Sequence, residues 1–450
     1  MLTAAILARR GKRVLLLERE PQVGGRLRSY EIDGFVVDAG AYLWPNLHLD
    51  GALAAAGAST YRSSVIPVTQ VLRLFVQGTG GKRFVFPWPG LPQSPELVAV
   101  AEAALAADAD TYRELTQLWD NLAALSDAEV ESLKHVPLSS ALPHFTADER
   151  LANSFRRNVM IFGTYDPRSA SMAECIALRR RSPRGPHPKP ESPGPNPGGG
   201  VRALPQAIHA ALLAAGVELR LGYRVEQIVI ESGTVRGVQA HGSQPFAERF
   251  EAPVVVSNLP IAQLFDVVAR GHFPKAFAES ADRFRVVGGT ISAAFAFDGL
   301  PKLRETGEED SFPGWTRLLI GAEREFGGGL LWATLHSPAN APARKHVLQA
   351  MRLSPHADIA DSRRVGLVHD AFRAMLDEMY VDVGAKLLWE RRWVTRDGSE
   401  YMITAAPRPP VQAPGVDGLY FVGETTDVGA IQMDAAALSA LRAAELIAPD

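Results

Sequence analysis

Cysteine is almost absent from this 450-residue sequence, which contains only Cys175. A single cysteine excludes a disulfide within the chain and a metal site built from clustered cysteines, and it fits a reducing compartment such as the cytoplasm. The eleven histidines show no spacing typical of metal ligands or of a catalytic triad. We therefore predict no metal site, and the sequence alone leaves the catalytic residues unknown.

Long apolar runs and a strong charge of one sign are also absent. No uncharged apolar run reaches the roughly 18 residues of a membrane-spanning helix, so we expect no transmembrane segment. The formal net charge is −3. Proteins that bind nucleic acid or an anionic membrane usually carry a basic excess, so charge indicates neither as the main partner. We expect a small-molecule substrate and a cytoplasmic protein.

The sequence has enough length and apolar content for more than one core. Hydrophobic residues make up 46% of the chain, and 450 residues exceed what one ordinary hydrophobic core organises. Composition thus predicts two or three globular domains.

The chain opens MLTAAILARRGKRVLLLE, which predicts an apolar helix, a stop at Gly11 and a buried strand over 13–17 that ends at Glu18. This order is the second half of a βαβ unit, and the first strand with its glycine-rich turn is absent. A secretory signal is the alternative. It would place its basic residues before the apolar stretch, whereas here they follow it.

Further patterns predict alternating elements along the chain. After a first hairpin with its turn at Asp33-Gly34 we expect two further hairpins, several strands, four helical stretches, and a proline- and glycine-rich loop over 182–200. The predicted strands are 71–76, 83–86, 289–297, 330–335 and 386–394, the hairpin turns are Asp33-Gly34 and Ser232-Gly233, and the helical patterns cover 95–133, 201–216, 363–379 and the tail from Gln432. Parallel-type α/β texture occurs at the start, middle and end, which predicts one nucleotide domain interleaved with another domain.

Three segments in this order carry recognisable motifs. They are Glu18 followed by Gly24-Gly25-Arg26; Gly199, Gly200, Leu204 and Ala207, with Ile208, Val225 and Ile228 after them; and GLYFVGE from Gly418 to Glu424. Over essentially its whole length the chain resembles the flavin-dependent amine oxidase and phytoene desaturase superfamily. The resemblance implies an α/β fold in which a Rossmann-like FAD-binding domain is interleaved with an α+β substrate domain.

The resemblance also implies residues that bind FAD. Glu18 would accept hydrogen bonds from a ribose hydroxyl, the paired glycines with Arg26 would approach phosphate, and Glu424 would reach a ribityl hydroxyl. The full set of predicted cofactor-binding residues is Glu18, Arg19, Gly24, Gly25, Arg26, Gly40, Ala41, Val225, Gly423, Glu424, Met433 and Asp434. A solvated strand-end acid at Glu18 and a plain core residue at Val225 remain alternatives. Asp38 and Tyr42 would lie near the flavin, Asp38 in a turn or capping role.

The resemblance implies domain boundaries, and it also shows which part of the family pattern this sequence lacks at its start. We expect residues 1–60, 195–260 and 412–450 to form the FAD-binding domain, and residues 61–194 and 261–411 to form the substrate domain. Alignment on Leu7, Ala8 and Gly11 places the last glycine of the pyrophosphate turn just before Met1. We therefore expect Met1 to be an internal methionine of a longer natural chain.

Three functions remain open at this point. The first is an FAD-dependent, phytoene desaturase-like oxidoreductase that passes hydride from an apolar, lipid-like or polyene substrate to flavin. The second is an amine or amino-acid oxidase that releases peroxide, and the third is a non-redox prenyl-lipid-binding protein of the same fold. The segments 95–133 and 264–273 either line an apolar tunnel, contact a membrane surface peripherally, or form ordinary core. Trp389 and Trp393 lie in a predicted strand, and we assign no aromatic amine cage.

Overall fold

The structure is a computed structural model of the chain. It describes residues 1–39, 48–58, 64–66, 72–77, 83–88, 109–160, 170–181, 192–194, 201–282, 284, 288–319, 328–396, 405–430 and 432–449. The predictions for Gly40, Ala41 and Tyr42 therefore lie outside the described residues.

Strands occur along the whole chain and are numbered in chain order. They are β1 Leu15–Glu18, β2 Ser29–Ile32, β3 Phe35–Asp38, β4 Ser64–Ile66, β5 Leu72–Gln77, β6 Arg83–Trp88, β7 Ser192–Gly194, β8 Glu218–Leu221, β9 Arg224–Glu231, β10 Thr234–His241, β11 Glu248–Glu251, β12 Val255–Ser257, β13 Gly288–Asp298, β14 Trp315–Leu319, β15 Gly329–Trp332, β16 Lys345–Pro355, β17 Leu387–Thr395 and β18 Leu419–Phe421.

Helices alternate with these strands. They are α1 Leu2–Arg9, α2 Leu49–Ala56, α3 Ala109–Ala123, α4 Asp127–Ser132, α5 Leu138–Ala141, α6 Glu149–Met160, α7 Met172–Arg181, α8 Ala203–Ala214, α9 Lys275–Ala281, α10 Ala333–His336, α11 His356–Ala360, α12 Ser362–Met379, α13 Val383–Lys386 and α14 Gln432–Ile447. Short 3₁₀ turns cover Leu142–His144, Ile261–Asp266, Arg270–His272 and Pro338–Asn340. In the described segments, no helix combines the length and apolar composition needed to cross a bilayer.

Two pairs of parallel strands carry the α/β part of the fold, with β1 beside β8 and β12 beside β18. Helices α1 and α14 cover both pairs, because Leu16 of β1 and Val256 of β12 pack in one cluster with Ile6 of α1 and Ala444 of α14. Alanines on the buried helix faces let these layers approach closely. The α/β class predicted from the sequence is confirmed.

A second sheet of seven strands runs in the order β17-β13-β16-β15-β14-β5-β6. Helix α12 packs on one of its faces, where Phe372 and Leu376 join Phe295 of β13 in a buried cluster. The opposite face of β13, β16 and β17 borders β3 at one end.

Residues 109–133 and 264–273, the described parts of the two segments considered for a tunnel or membrane contact, are packed as core. Leu115 and Leu122 of α3 are buried in a helical cluster in which Trp119 stacks on Phe155 of α6, with ring centroids 4.3 Å apart. Leu264 and Phe273 are buried in a cluster beside β10 and β18. The described parts of these segments therefore support the ordinary-core alternative.

Two local predictions need adjustment. The strand predicted over 330–335 ends at Trp332 and continues as the helical turn α10, because the hydroxyl of Thr334 accepts the backbone N–H of Val347 (3.3 Å) that a longer strand would have used. Within the predicted loop over 182–200, β7 pairs antiparallel with β4.

Candidate functional site

A cavity of about 2500 Å³ brings the predicted cofactor residues together. Parts of α1, β1, β12 and the segment 23–28 line it, and so do parts of β13, β16 and β17. It touches consecutive residues of β1 and of β12, whose successive side chains point to opposite faces, so it meets these strands at their edges. Among the described strands, β1 pairs only with β8 and β12 only with β18. Backbone groups on their other edges therefore face the cavity.

Nine of the twelve predicted cofactor residues line this cavity. They are Glu18, Arg19, Gly24, Gly25, Arg26, Val225, Gly423, Glu424 and Met433. Asp434 lies behind the wall as a buried side chain, and its carboxylate accepts the backbone N–H of His48 (3.0 Å). The structure therefore brings the three motif segments of the sequence to one place.

The paired glycines adopt backbone conformations that other residues rarely reach. Gly24 has φ of +118° and Gly25 has φ of +54°. A Cβ at Gly24 would lie 3.3 Å from the carbonyl oxygen of Leu27 and 3.3 Å from a side-chain carbon of Pro205, whereas a Cβ at Gly25 would meet open space. Glycine therefore keeps this turn close to the cavity with its backbone exposed.

An ion pair joins the first motif to the last. Arg26 Nη1 lies 2.6 Å from Glu424 Oε1, and the Glu424 side chain is only 11% exposed. The two residues lie about four hundred positions apart in the sequence, so their contact depends on the whole fold. A cation and an anion at this wall suit a ligand that carries both phosphate and hydroxyl groups.

The turn after β18 is held from two sides. Gly423 donates its N–H to Ser439 Oγ of α14 (2.9 Å). Arg408 donates to the carbonyl oxygens of Glu424 (3.0 Å) and Ala430 (3.1 Å), and its buried guanidinium also pairs with Glu174 of α7 (2.7 Å). Sequence reasoning missed Arg408, because a lone arginine in a proline-rich segment carries no motif.

Asp38 forms a second junction close to the cavity. Ser29 Oγ donates to its carboxylate (2.5 Å), and so does the backbone N–H of Val201 (3.2 Å). Gln349 Nε2 of β16 donates to its backbone carbonyl (2.6 Å). Burial raises the pKa of Asp38 to about 6, against the lowering effect of the hydrogen bonds from Ser29, Val201 and Asn340 and of the charge of Arg202. Its bonds to three separate segments agree with a turn or capping role.

The strand register places three rows of side chains on the face of the seven-stranded sheet that turns toward β3. Directly opposite residues of antiparallel neighbours share a face. The rows are Thr395–Thr290–Leu353, Trp393–Ser292–Met351 and Arg391–Ala294–Gln349. The next row, which contains Trp389, is covered by Phe35 of β3 (ring centroids 5.2 Å apart).

Two of these rows border the cavity. Every residue of the Thr395 row and of the Trp393 row lines it, and we call these two rows the open rows. They offer hydroxyl groups, a thioether, an aliphatic side chain and an indole. None of the described cavity-lining residues on β13, β16 or β17 is an aspartate or glutamate, whereas acids such as Glu18 and Glu424 line the cavity from other elements. The cavity thus has a mixed-charge part and a part without carboxylates.

The residues present fit FAD. The first turn of α1 lines the cavity, and a helix N-terminus presents backbone N–H groups that favour a pyrophosphate. The exposed turn at Gly25 and the cation of Arg26 line the same cavity. These are the donors that an anionic dinucleotide requires.

Comparison with known proteins adds an independent line of observation. The family model described as flavin-containing amine oxidoreductase matches residues 1–448 of the chain. Phytoene dehydrogenase from Streptomyces griseus is 27% identical over 241 residues, which are 48% of this chain and 45% of that protein. The chain therefore aligns with less than half the length of this curated relative.

Solved structures are similar over nearly the full length. An oxidoreductase from Methanosarcina mazei is 17% identical, with 99% of this chain and 97% of that chain covered and a TM-score of 0.69. Wild-type putrescine oxidase bound to putrescine is 17% identical, with 99% and 96% covered and a TM-score of 0.64. At these identities the likeness concerns the fold alone.

Proposed function

Because the chain belongs to the flavin-containing amine oxidoreductase family, we propose that it is an FAD-dependent dehydrogenase that desaturates an apolar, lipid-like or polyene substrate. The observation that carries this proposal is a single cavity lined both by the Arg26–Glu424 pair and by the open rows. The partial similarity to phytoene dehydrogenase supports the choice of reaction.

We assign the two parts of the cavity to two parts of the chain. Residues 1–60, 195–260 and 412–450 hold FAD, and residues 61–194 and 261–411 hold the substrate. Within the first part, Gly24, Gly25 and Arg26 bind the pyrophosphate, and Glu18 binds the adenosine ribose. The remaining assigned contacts with FAD are those of Arg19, Gly40, Ala41, Val225, Gly423, Glu424, Met433 and Asp434.

In this reaction the protein positions the substrate against the cofactor and excludes water from the site. Bound FAD supplies the chemistry of hydride acceptance, which no amino-acid side chain provides. Leu353, Met351 and Trp393 present apolar surface that excludes water from the substrate. Of the described residues in the open rows, none is an ordinary general base, so we propose that substrate binding and orientation determine the rate.

The choice against an amine substrate rests on charge. An ammonium group is best bound by a carboxylate, and the described part of the sheet wall presents none. The Arg391 guanidinium on this wall would repel an ammonium group. Amine oxidation therefore stands as an alternative that the experiment below separates from desaturation.

Anaerobic reduction of the bound flavin tests the proposal. Protein loaded with FAD is mixed without oxygen with long-chain polyenes, saturated lipids and a panel of amines, and the flavin absorption band is followed. We expect bleaching by a polyene or lipid and not by amines. Bleaching by amines alone, with peroxide released when air is admitted, would contradict desaturation. Folded protein that binds FAD but is bleached by none of the compounds would contradict both redox functions for these classes.

A further inference from the structure

The turn after β18 contacts a group of helices that lies away from the cavity. Residues 109–160 and 170–181 contain α3 to α7 and share one apolar core, and we call them the helical cluster. None of the described residues of the helical cluster lines the cavity, whereas Gly423, Glu424 and Thr425 of the turn do. The helical cluster can therefore affect the cofactor site through the turn that it contacts.

The first contact is an ion pair between Arg408 and Glu174 of α7. Arg408 Nη2 lies 2.7 Å from Glu174 Oε1, and the two side chains are 7% and 20% exposed. Arg408 Nη1 donates to the carbonyl oxygens of Glu424 (3.0 Å) and Ala430 (3.1 Å), which lie near the two ends of the turn. A guanidinium holds its donors in a rigid plane. The carboxylate of Glu174 therefore fixes the orientation of the group that holds both ends of the turn.

The second contact reaches the middle of the same turn. Lys134 Nζ, from the segment after α4, lies 3.2 Å from Asp427 Oδ1, and both side chains are partly exposed. The backbone N–H of Asp427 donates to the carbonyl oxygen of Pro409 (2.8 Å), next to Arg408. The helical cluster thus supports the turn at its ends and at its middle.

The two supporting residues are also joined to each other inside the helical cluster. The buried Ser171 Oγ donates to the carbonyl oxygen of Lys134 (2.9 Å) and accepts the backbone N–H of Glu174 (3.2 Å). Beside this link, Leu138 donates its N–H to the carbonyl oxygen of Ala170 (2.8 Å). Lys134 and Glu174 therefore meet the turn as one unit, and movement of one displaces the other.

We propose that these two ion pairs couple the helical cluster to FAD binding, with Arg408 and Lys134 as positioning residues. The docked cluster holds the turn in the shape that contacts FAD, which removes the cost of ordering the turn on binding. Because such coupling is reciprocal, bound FAD stabilises the docked cluster by the same factor. This inference rests on the proposed contact between the turn and FAD, and it holds for any substrate.

Titration with FAD, followed by flavin fluorescence, tests the first ion pair. Glu174→Gln keeps the shape of the side chain and removes the charge that orients Arg408, so we expect the dissociation constant for FAD to rise about tenfold. Asp120→Asn is the matched control. It removes a carboxylate that pairs with Arg179 of the same helix, α7, within the helical cluster (2.9 Å), and FAD affinity should equal that of the wild type.

Charge reversal tests the second ion pair. Lys134→Glu places a like charge against Asp427 and should weaken FAD binding, whereas Lys134→Glu/Asp427→Lys restores opposite charges and should recover most of the lost affinity. Glu131 pairs with Lys134 in the wild type (3.4 Å) and faces the same glutamate in both variants, so its effect cancels in the comparison. This pair is partly exposed, which keeps the test informative where Glu174→Gln does not fold.

Hydrogen exchange measures the reciprocal effect. Addition of FAD to the wild type should slow amide exchange in α3 and α7, although neither helix lines the cavity. In Glu174→Gln at saturating FAD this protection should be smaller, while protection of α1, which lines the cavity, should persist. A side chain with a structural role alone would not make exchange in α7 depend on FAD.

Three results would overturn the proposal. They are equal FAD affinity in the wild type and folded Glu174→Gln, no recovery of affinity in the reversed pair, and no effect of FAD on exchange in α7 of the wild type. The flavin bleaching test is read separately. Coupling without bleaching by any substrate contradicts the proposed dehydrogenation alone, whereas bleaching without coupling contradicts this inference alone.

Discussion

Replacement of Asp38 by asparagine should change how the stability of this protein depends on pH. Asp38 is 2% exposed and accepts hydrogen bonds from Ser29 Oγ and from the N–H of Val201, both at Oδ1. An asparagine Oδ1 accepts the same two bonds, so the substitution keeps these two contacts and removes the ionisation. The effect of the charge can therefore be measured separately from the effect of packing.

The sign and size of the effect follow from the pKa. Burial raises the pKa of Asp38 from its ordinary value of 3.8 to about 6. Between these values the folded chain binds more protons than the unfolded chain, so the free energy of unfolding falls as pH rises through this window. A rise of about two pKa units corresponds to about 3 kcal/mol in full, of which about 2 kcal/mol falls between pH 4.5 and 7.5.

Urea unfolding followed by tryptophan fluorescence measures this difference. We expect the stability of Asp38→Asn, relative to the wild type, to increase by about 2 kcal/mol from pH 4.5 to pH 7.5. Asp33→Asn makes the same chemical change in the exposed turn of the same hairpin, where φ is 52°, and serves as the control. A flat or falling relative stability for Asp38→Asn would refute the reasoning.

Three further substitutions test packing and the cofactor wall. Asp310→Asn leaves the buried guanidinium of Arg73, now bonded at 2.8 and 2.9 Å, without its counter-ion, and urea unfolding should report a loss of about 3–5 kcal/mol; a loss below about 1 kcal/mol would contradict it. Ser439→Ala removes the acceptor of the Gly423 N–H and should cost about 1–3 kcal/mol in the same assay, with weaker FAD binding; unchanged FAD affinity would separate this bond from the cofactor. Gly24→Ala places a side chain at φ +118° and should destabilise the protein by more than about 1 kcal/mol. It should also raise the dissociation constant for FAD. An FAD titration identical to that of the wild type would argue against FAD binding at this turn.

Local signals predicted the elements of the fold well. The turn at Asp33-Gly34 has φ of 52° and 80°, and the turn at Ser232-Gly233 has φ of 50° and 77°, as the hairpin chemistry requires. The strand predicted over 330–335 fails after Trp332 because a side-chain hydroxyl replaces a backbone partner. Such a bond depends on which strand lies alongside, and that partner is remote in sequence.

The candidate site was predictable only where a motif fixes the backbone. Glycine pairs and strand-end acids are visible in the sequence, and the structure gathers them at one cavity. The open rows were not predictable, because they depend on the register of β13 with β16 and β17, strands some sixty and one hundred residues further along. Alternation of apolar and polar residues identifies which face of a strand is buried, but it does not identify the strand that lies beside it. Arg408 was not predictable either, because it carries no local motif and its partners lie on α7 and after β18, far away in the sequence.

Titration of the purified protein with FAD, followed by flavin fluorescence, tests whether the segments around Arg26 and Glu424 together hold FAD. Glu424→Gln removes the carboxylate that pairs with Arg26. Glu445→Gln removes a carboxylate that pairs with Arg10 on the outer surface of α14 (3.1 Å) and is the matched control. We expect saturable FAD binding by the wild type and by Glu445→Gln, and about tenfold weaker binding by Glu424→Gln. Equal FAD affinity in all three proteins, or no binding by a folded wild type, would contradict it.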